Sequence, residues 1–259
     1  MEHKKTIREI KEQLQQIEFS NQKGFVEFLQ FYESDSRSGV ITICEEGKKK
    51  IIQYEEEVKR IEGMKQYEYE YESKGYVCGV DEVGRGPLAG PVVAGAVILP
   101  KNCNILYLND SKKLSEKKRE ELYETIMEEA IATGIGIVSA ERIDEINILQ
   151  ATYEAMRQAL DNLCITPDIL LNDAVTIPQV TIPQIPIIKG DAKSISIAAA
   201  SIIAKVTRDR MMVMYDDVMP EYGFAAHKGY GSQTHIQVLE TIGLSKIHRK
   251  SFCKNFCSK

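Results

Sequence analysis

Tyr76–Pro100 reads YVCGVDEVGRGPLAGPVVAGAVILP. Two apolar, β-favouring runs, Tyr76–Val80 and Pro91–Leu99, flank a turn made of Gly84, Arg85, Gly86 and Pro87, which predicts a strand hairpin. Asp81 and Glu82 fall at the carboxyl end of the first run. Successive strand residues face opposite sides, so the two carboxylates can meet one ligand only if the chain bends out of the sheet, as Val83-Gly84-Arg85-Gly86 would allow. An Asp-Glu pair alone is usually a solvated strand end. Here it follows an apolar strand, where desolvating two carboxylates is costly and a hard divalent cation removes the cost. Arg85, between two glycines, is placed to meet a phosphate. The same glycines would let a ligand or another strand approach the backbone closely.

Downstream, Asp110-Ser111-Lys112-Lys113 is a polar loop leading to Ser115, a plausible N-cap for a helix to about Ala132 that Gly134 would stop. Ile135–Ala140 alternates as a strand and Asn147–Leu163 has helical periodicity. Pro167–Asp173 is a further strand, ending in a carboxylate as the first does. Thr176–Gln184, rich in proline, should be extended and poorly paired. Gly190-Asp191-Ala192-Lys193-Ser194 precedes a long helix of small residues, where Asp191 would by default be a cap. Arg208 and Asp209 read as a structural ion pair or a phosphate contact, the structural role being favoured. Tyr230, between Gly229 and Gly231 in a basic loop before a helix from about Thr234 to Ile242, suits stacking on a sugar or base. Alternating strands and helices give an α/β core.

Residues 1–73 have another texture, rich in Glu, Lys and Gln. Ile7, Ile10, Leu14 and Ile17 make one helical stripe, Phe25–Tyr32 suggests a second helix, and Ile51, Ile52, Val58 and Ile61 a third. This small helical module is either an appendage or an accessory substrate-binding domain, with Tyr67–Lys74 as a linker into residues 74–259. The 259 residues, 43% hydrophobic and 27% charged, describe a globular protein with one sizeable domain and an appendage. Net charge is −5, so any surface for a polyanion must be local; Lys228, Lys246, Arg249, Lys250, Lys254 and Lys259 polarise the tail. Scattered cysteines and an N-terminus without an apolar core predict a cytoplasmic, reduced protein. No apolar run is long enough to span a bilayer. A zinc site on His248, Cys253 and Cys257 would lack a fourth ligand.

The string GVDEVGRGPLAGPVVAGAV closely resembles the signature of the type 2 ribonucleases H, the bacterial ribonuclease HII family. Asp-Ser-Lys at 110–112, KGDAKSISIAAASIIAKVTRD at 189–209, and HKGYGSQTH and HRKSF near the end extend the resemblance over Tyr76 to about Phe252. It implies a ribonuclease H-like mixed sheet flanked by helices, with Asp81, Glu82, Asp173 and Asp191 as metal-binding catalytic acids for Mg2+ or Mn2+. Gly84, Arg85, Gly86, Ser111, Lys112 and Tyr230 become substrate contacts, with Ser111 or Lys112 approaching the nucleic-acid backbone. The family often has Asp-Gly where this chain has Asp173-Ala174, and threonine where Ser232 stands. The implied activity is hydrolysis of RNA in RNA/DNA hybrids and cutting at ribonucleotides within duplex DNA, leaving 5′-phosphate and 3′-hydroxyl ends, by a chain expected to be monomeric. The rivals are a ribonuclease HIII-like enzyme, whose signature differs at the first site, and a silent hybrid-binding protein, which has no need of four acids.

Overall fold

The computed structural model describes residues 5–255, which divide into two compact units, one up to Glu62 and one from Gly63. The first is helical: α1 (Ile7–Gln15), α2 (Gln22–Phe31) and α3 (Ser38–Met64). Thr6 opens α1 with a capping box, its hydroxyl accepting from Glu9 N–H while its own N–H donates to the Glu9 carboxylate. Ile10 and Leu14 then pack with Phe25, Phe28, Tyr32, Val40 and Ile43 into one core. The predicted stripes hold only in part. Ile7, Ile52 and Val58 are exposed, and the third helix begins at Ser38, well before the apolar residues that suggested it.

In the second unit the expected linker is helical, forming α4 (Gln66–Tyr71) before β1 (Val77–Val83). There follow β2 (Val92–Ile98), α5 (Glu116–Glu129), β3 (Ala132–Val138), α6 (Ala140–Asp161), β4 (Ile169–Asp173), β5 (Gln184–Ile187), α7 (Ile195–Val218), α8 (Phe224–His227) and α9 (Gln233–Ile242). The sheet order is β3-β2-β1-β4-β5, antiparallel among β3, β2 and β1, and parallel from β1 through β4 to β5. This is the predicted mixed sheet.

Strand alternation gives each face a helix. Cys78, Val80, Val92, Ala94, Ala96 and Ile98 point to α6 and form the main core with Ala151, Ala155, Met156 and Ala159. The residues between them face α7, where Gly95 lies so close to the Ala200 carbonyl that a Cβ would sit 2.5 Å from it. Gly134 is a correction. It lies inside β3 and does not stop the preceding helix; a Cβ there would come within 2.0 Å of the Ala159 carbonyl, so its absence lets α6 pack down on the strand. The helix predicted from Asn147 starts earlier, at a Ser139 cap, and breaks at Asn147 (φ 66°), whose side chain caps the second half through Leu149 and Gln150 N–H.

Candidate active site

The sequence predicts a bend at Asp81 and Glu82, but the ladder with β2 continues through both, pairing Asp81 with Gly95 and Glu82 with Ala94. Convergence comes instead from the other neighbour. Pairing of β1 with β4 runs to Val80↔Asn172, so Asp81 and Asp173 stand at adjacent positions just beyond it. Asp173 Oδ1 accepts from Gly190 N–H at 2.7 Å, which draws the Asp191 turn toward the strand ends. The default role of Asp191 as a cap is filled by other groups. Ser194 caps α7, and Glu68 of α4 takes the Ser194 hydroxyl (2.5 Å) and Ser196 N–H (3.0 Å) on Oε1.

Burial, then the charges of Glu82 and Asp173, raise the Asp81 carboxyl well above the usual carboxylate range; hydrogen bonds from the Ser201 side chain and Glu82 N–H oppose the shift. Glu82 is raised by burial and Asp173, against Arg85 and Lys112. Asp191 is raised by burial, Asp110 and Asp173, against Lys112 and Lys113. Asp173 is thus the common neighbour of the other three. Among the described residues no three His, Cys, Asp or Glu side chains are placed so as to hold a metal ion between them as they stand. The set is open, rich in negative charge and met by Arg85 at 3.2 Å from Glu82 Oε1 and, at longer range, by Lys112 and Lys113. Hard oxygen donors whose charges repel one another fit divalent cations.

The glycine-arginine turn is built on two fully buried arginines. Arg249 donates to the carbonyls of Gly84 (2.6 Å), Arg85 (3.0 Å) and Gly90, and Arg208 to those of Pro91, Ala89 and Lys228. Burial, followed by the charge of Arg208, pushes Arg249 down to about 9. Gly84 has φ +91° and lies where a Cβ would be 2.4 Å from Arg208 Nε, so the fold itself requires glycine. At Gly86 a Cβ would meet no atom within 4 Å. The predicted Arg208–Asp209 pair is not formed: Asp209 takes Lys205 at 2.8 Å and lies 3.9 Å from Arg119.

Tyr230 is half-exposed, with the Arg208 guanidinium 5.7 Å from its ring centroid. Gly229 O accepts from Leu88 N–H (2.9 Å) and Ala89 N–H (3.3 Å), joining the tyrosine loop to the glycine-arginine turn. Behind it, Ser245 N–H donates to His248 Nδ1, which places the His248 proton on Nε2, 2.9 Å from His235 Nε2; His235 then donates from Nδ1 to the Tyr230 carbonyl. His248 has no free nitrogen for zinc, and Cys257 and Lys259 lie outside the described residues.

Lys112 is exposed, whereas Ser111 is 3% exposed and lies 3.0 Å, hydroxyl to hydroxyl, from Ser201. The Ser111 side chain is thus enclosed by protein, and of the two candidates for the nucleic-acid backbone Lys112 is the open one. Ser201, Glu68 and the two arginines are the residues the sequence reading missed in these roles. The available signal was a hydroxyl within an alanine run, and charges within strings that fold inward.

A five-stranded mixed sheet between helices, with carboxylates where its central strands end, is the architecture of a ribonuclease H-like nuclease. A ribonuclease H2 crystal structure from Pyrococcus horikoshii superposes with a TM-score of 0.59 at 30% identity, covering 70% of this chain and 96% of that one. The family pattern described as Ribonuclease HII matches residues 78–255, and the Ribonuclease HII N-terminal domain matches residues 6–72. The chain is 59% identical to "Ribonuclease HII" of Lachnoclostridium phytofermentans, covering 96% of this chain and 98% of the relative, and 52% identical to that of Clostridioides difficile, covering 97% and 98%.

The chain belongs to the ribonuclease HII family, metal-dependent endoribonucleases that act on RNA/DNA hybrids. The HIII-like rival falls, since patterns and relatives are of type HII, and the enzyme class displaces the silent-binder reading. No helix among the described residues is long and apolar enough to cross a membrane.

Proposed function

We propose that this chain cleaves the RNA strand of hybrids and also cuts duplex DNA at single embedded ribonucleotides, leaving 5′-phosphate and 3′-hydroxyl ends. The carrying observation is the crowding of Asp81, Glu82 and Asp191 around Asp173, with burial and mutual repulsion raising the first three carboxyl groups. These four acids would hold divalent cations, and oxygen ligands suit both Mg2+ and Mn2+. Such ions supply an activated water and stabilise charge on the leaving oxygen.

The chain's own groups do the positioning. Lys112, exposed beside the acids, meets the phosphate backbone, and Arg85 is oriented by Glu82 toward the same strand. Gly86 has no internal packing or backbone reason to be glycine, which supports a close approach from outside, where backbone groups hydrogen-bond the 2′-hydroxyl. The Tyr230 ring is backed by Arg208 and open on its other side, suited to stack on the deoxyribose that follows the ribonucleotide. A second 2′-hydroxyl there would crowd the ring.

The test uses a labelled duplex with one ribonucleotide and a hybrid with a continuous RNA strand, each with Mg2+ or Mn2+ and then with a chelator. Cleavage of both, abolished by chelation, is expected. Tyr230→Ala should lower cutting at the lone ribonucleotide by about 10–100-fold, the loss of one stacking contact, and spare the hybrid. Equal losses on both would make Tyr230 a general binding residue, and no metal-dependent cutting of the embedded ribonucleotide would sink that part of the reading.

A further inference from the structure

His227 in α8, His235 in the first turn of α9 and His248 beyond it meet behind the Tyr230 loop. The His227 and His235 rings stack at 4.1 Å, 13° from parallel, and His235 and His248 join through their Nε2 atoms at 2.9 Å. The Phe224 ring lies between 5.6 and 5.9 Å from all three. Each tautomer is fixed by backbone groups, which either donate or accept but never exchange roles. Gly229 N–H donates to His227 Nδ1 (3.1 Å), so the His227 proton is on Nε2 and goes to the Tyr222 carbonyl (2.8 Å). Ser245 N–H donates to His248 Nδ1 (2.9 Å), so His248 donates from Nε2 to His235 Nε2. The His235 proton is then on Nδ1, 2.9 Å from the Tyr230 carbonyl. All three imidazoles are neutral and every ring nitrogen is engaged. Burial lowers His235 and His248, which favours the same state.

The two stacked rings grip the loop at successive residues, His227 taking Gly229 N–H and His235 the Tyr230 carbonyl. Arg208 holds the Lys228 carbonyl, while Leu88 and Ala89 N–H hold that of Gly229. Tyr230 N–H donates to the His227 carbonyl. The backbone is committed, and the Tyr230 side chain is left 41% exposed. A ring between two glycines has no local restraint of its own, so stacking would carry the full entropic cost of ordering it. His235 supplies the restraint at the tyrosine itself, and its contacts with His227 and His248 fix its own position.

We propose that His235 is a positioning residue for cutting at an embedded ribonucleotide: the clamp it forms with His227 and His248 holds the Tyr230 loop in the conformation that presents the ring to the deoxyribose. The proposal rests on the reading of Tyr230 as the residue that stacks there. A histidine serving only as core filling, packed on Phe224 and the His227 ring, would be replaced better by leucine than by asparagine. The clamp demands the opposite order. Asparagine is close to leucine in size and keeps a donor for the Tyr230 carbonyl.

The experiment uses full-length protein with Mg2+ and reads the ratio of cutting at a lone ribonucleotide to cutting of a continuous RNA strand. His235→Leu should lower that ratio about tenfold, the scale of one lost hydrogen bond, and His235→Asn should bring it back to within about threefold of wild type. Asparagine no better than leucine overturns the clamp. Tyr230→Ala is the control. A lowered ratio there with an unchanged one in His235→Leu overturns the clamp alone, whereas an unchanged ratio in Tyr230→Ala overturns the stacking reading and the proposal with it. Two-bond 1H–15N spectra of the wild-type histidine rings near neutral pH give a second measure, free of catalysis. They should show His227 and His248 protonated on Nε2 and His235 on Nδ1. Another tautomer at His235 rejects the clamp, and these spectra decide if the leucine variant does not fold.

Discussion

The acids at the strand ends and the arginines under the glycine-arginine turn are opposite solutions to burying charge. Asp81, Glu82 and Asp191 share a region with Asp173 and too little positive charge, and their carboxyl groups are raised for that reason. Arg208 and Arg249 are more deeply buried, yet each has its guanidinium covered by backbone carbonyls. A buried charge left short of partners is a binding site waiting for its counter-charge; one fully partnered within the chain is a part of the frame.

The largest break in that contrast is expected at the acids. Asp81→Asn should lower cleavage by at least about a hundredfold, the scale of losing one electrostatic group at a reacting centre. In chelator its stability should equal or exceed the wild type, because one of several repelling charges is gone. A drop in stability measured by urea unfolding would put Asp81 in the frame. Arg249→Met should do the reverse, losing on the order of 3–5 kcal/mol of stability as the Gly84, Arg85 and Gly90 carbonyls are orphaned. A loss under about 1 kcal/mol would show that the turn does not depend on it.

Acid should separate the two regions by sign. Burial, with His235 adding to it, lowers His248 from 6.5 to about 4. Between those values the unfolded chain binds a proton the folded one refuses, so this contribution is present above pH 6.5 and is lost as pH falls toward 4, on the order of 2–3 kcal/mol. The raised acids work the other way, gaining as pH falls. Urea unfolding across pH 4–7 with wild type and His248→Gln checks this: the slope should flatten in the variant. The smallest effect lies beside Asp173. Ala174 has φ 56°, the left-handed region that suits the family's usual glycine, so Ala174→Gly should relieve strain and stabilise by about 1 kcal/mol in thermal unfolding.

The mixed sheet and helices were legible because Val77–Val83, Val92–Ile98 and Ile169–Asp173 carry short apolar runs ended by turn residues. Asp81, Glu82 and Asp173 stood out as candidates because each ends such a run, whereas Asp191 read locally as a cap and became a candidate through the family resemblance alone. Geometry between distant segments was not legible. That Asp81 meets Asp173 depends on where β1–β4 pairing stops, and that Ser111 is buried depends on Ser201, 90 residues away. Local pattern gave Gly134 as a helix stop, while packing against Ala159 decided otherwise. Arg249 read as a surface cation for the same reason: nothing in HRKSF tells that the carbonyls of Gly84 and Gly90 lie above it.

Glu68 carries a consequence for where this protein can be cut and recombined. It lies in residues 6–72, matched as the N-terminal domain, yet it holds the first turn of α7, three residues after Asp191. Its other oxygen, Oε2, is buried with no hydrogen-bond partner among the described residues, and burial raises its carboxyl group. A shortened chain beginning near Ser73 would discard this contact, while one beginning at Gly63 keeps it. Chimaeras that exchange N-terminal segments between relatives should join before Gly63, so that the recipient nuclease retains its own glutamate on its own helix.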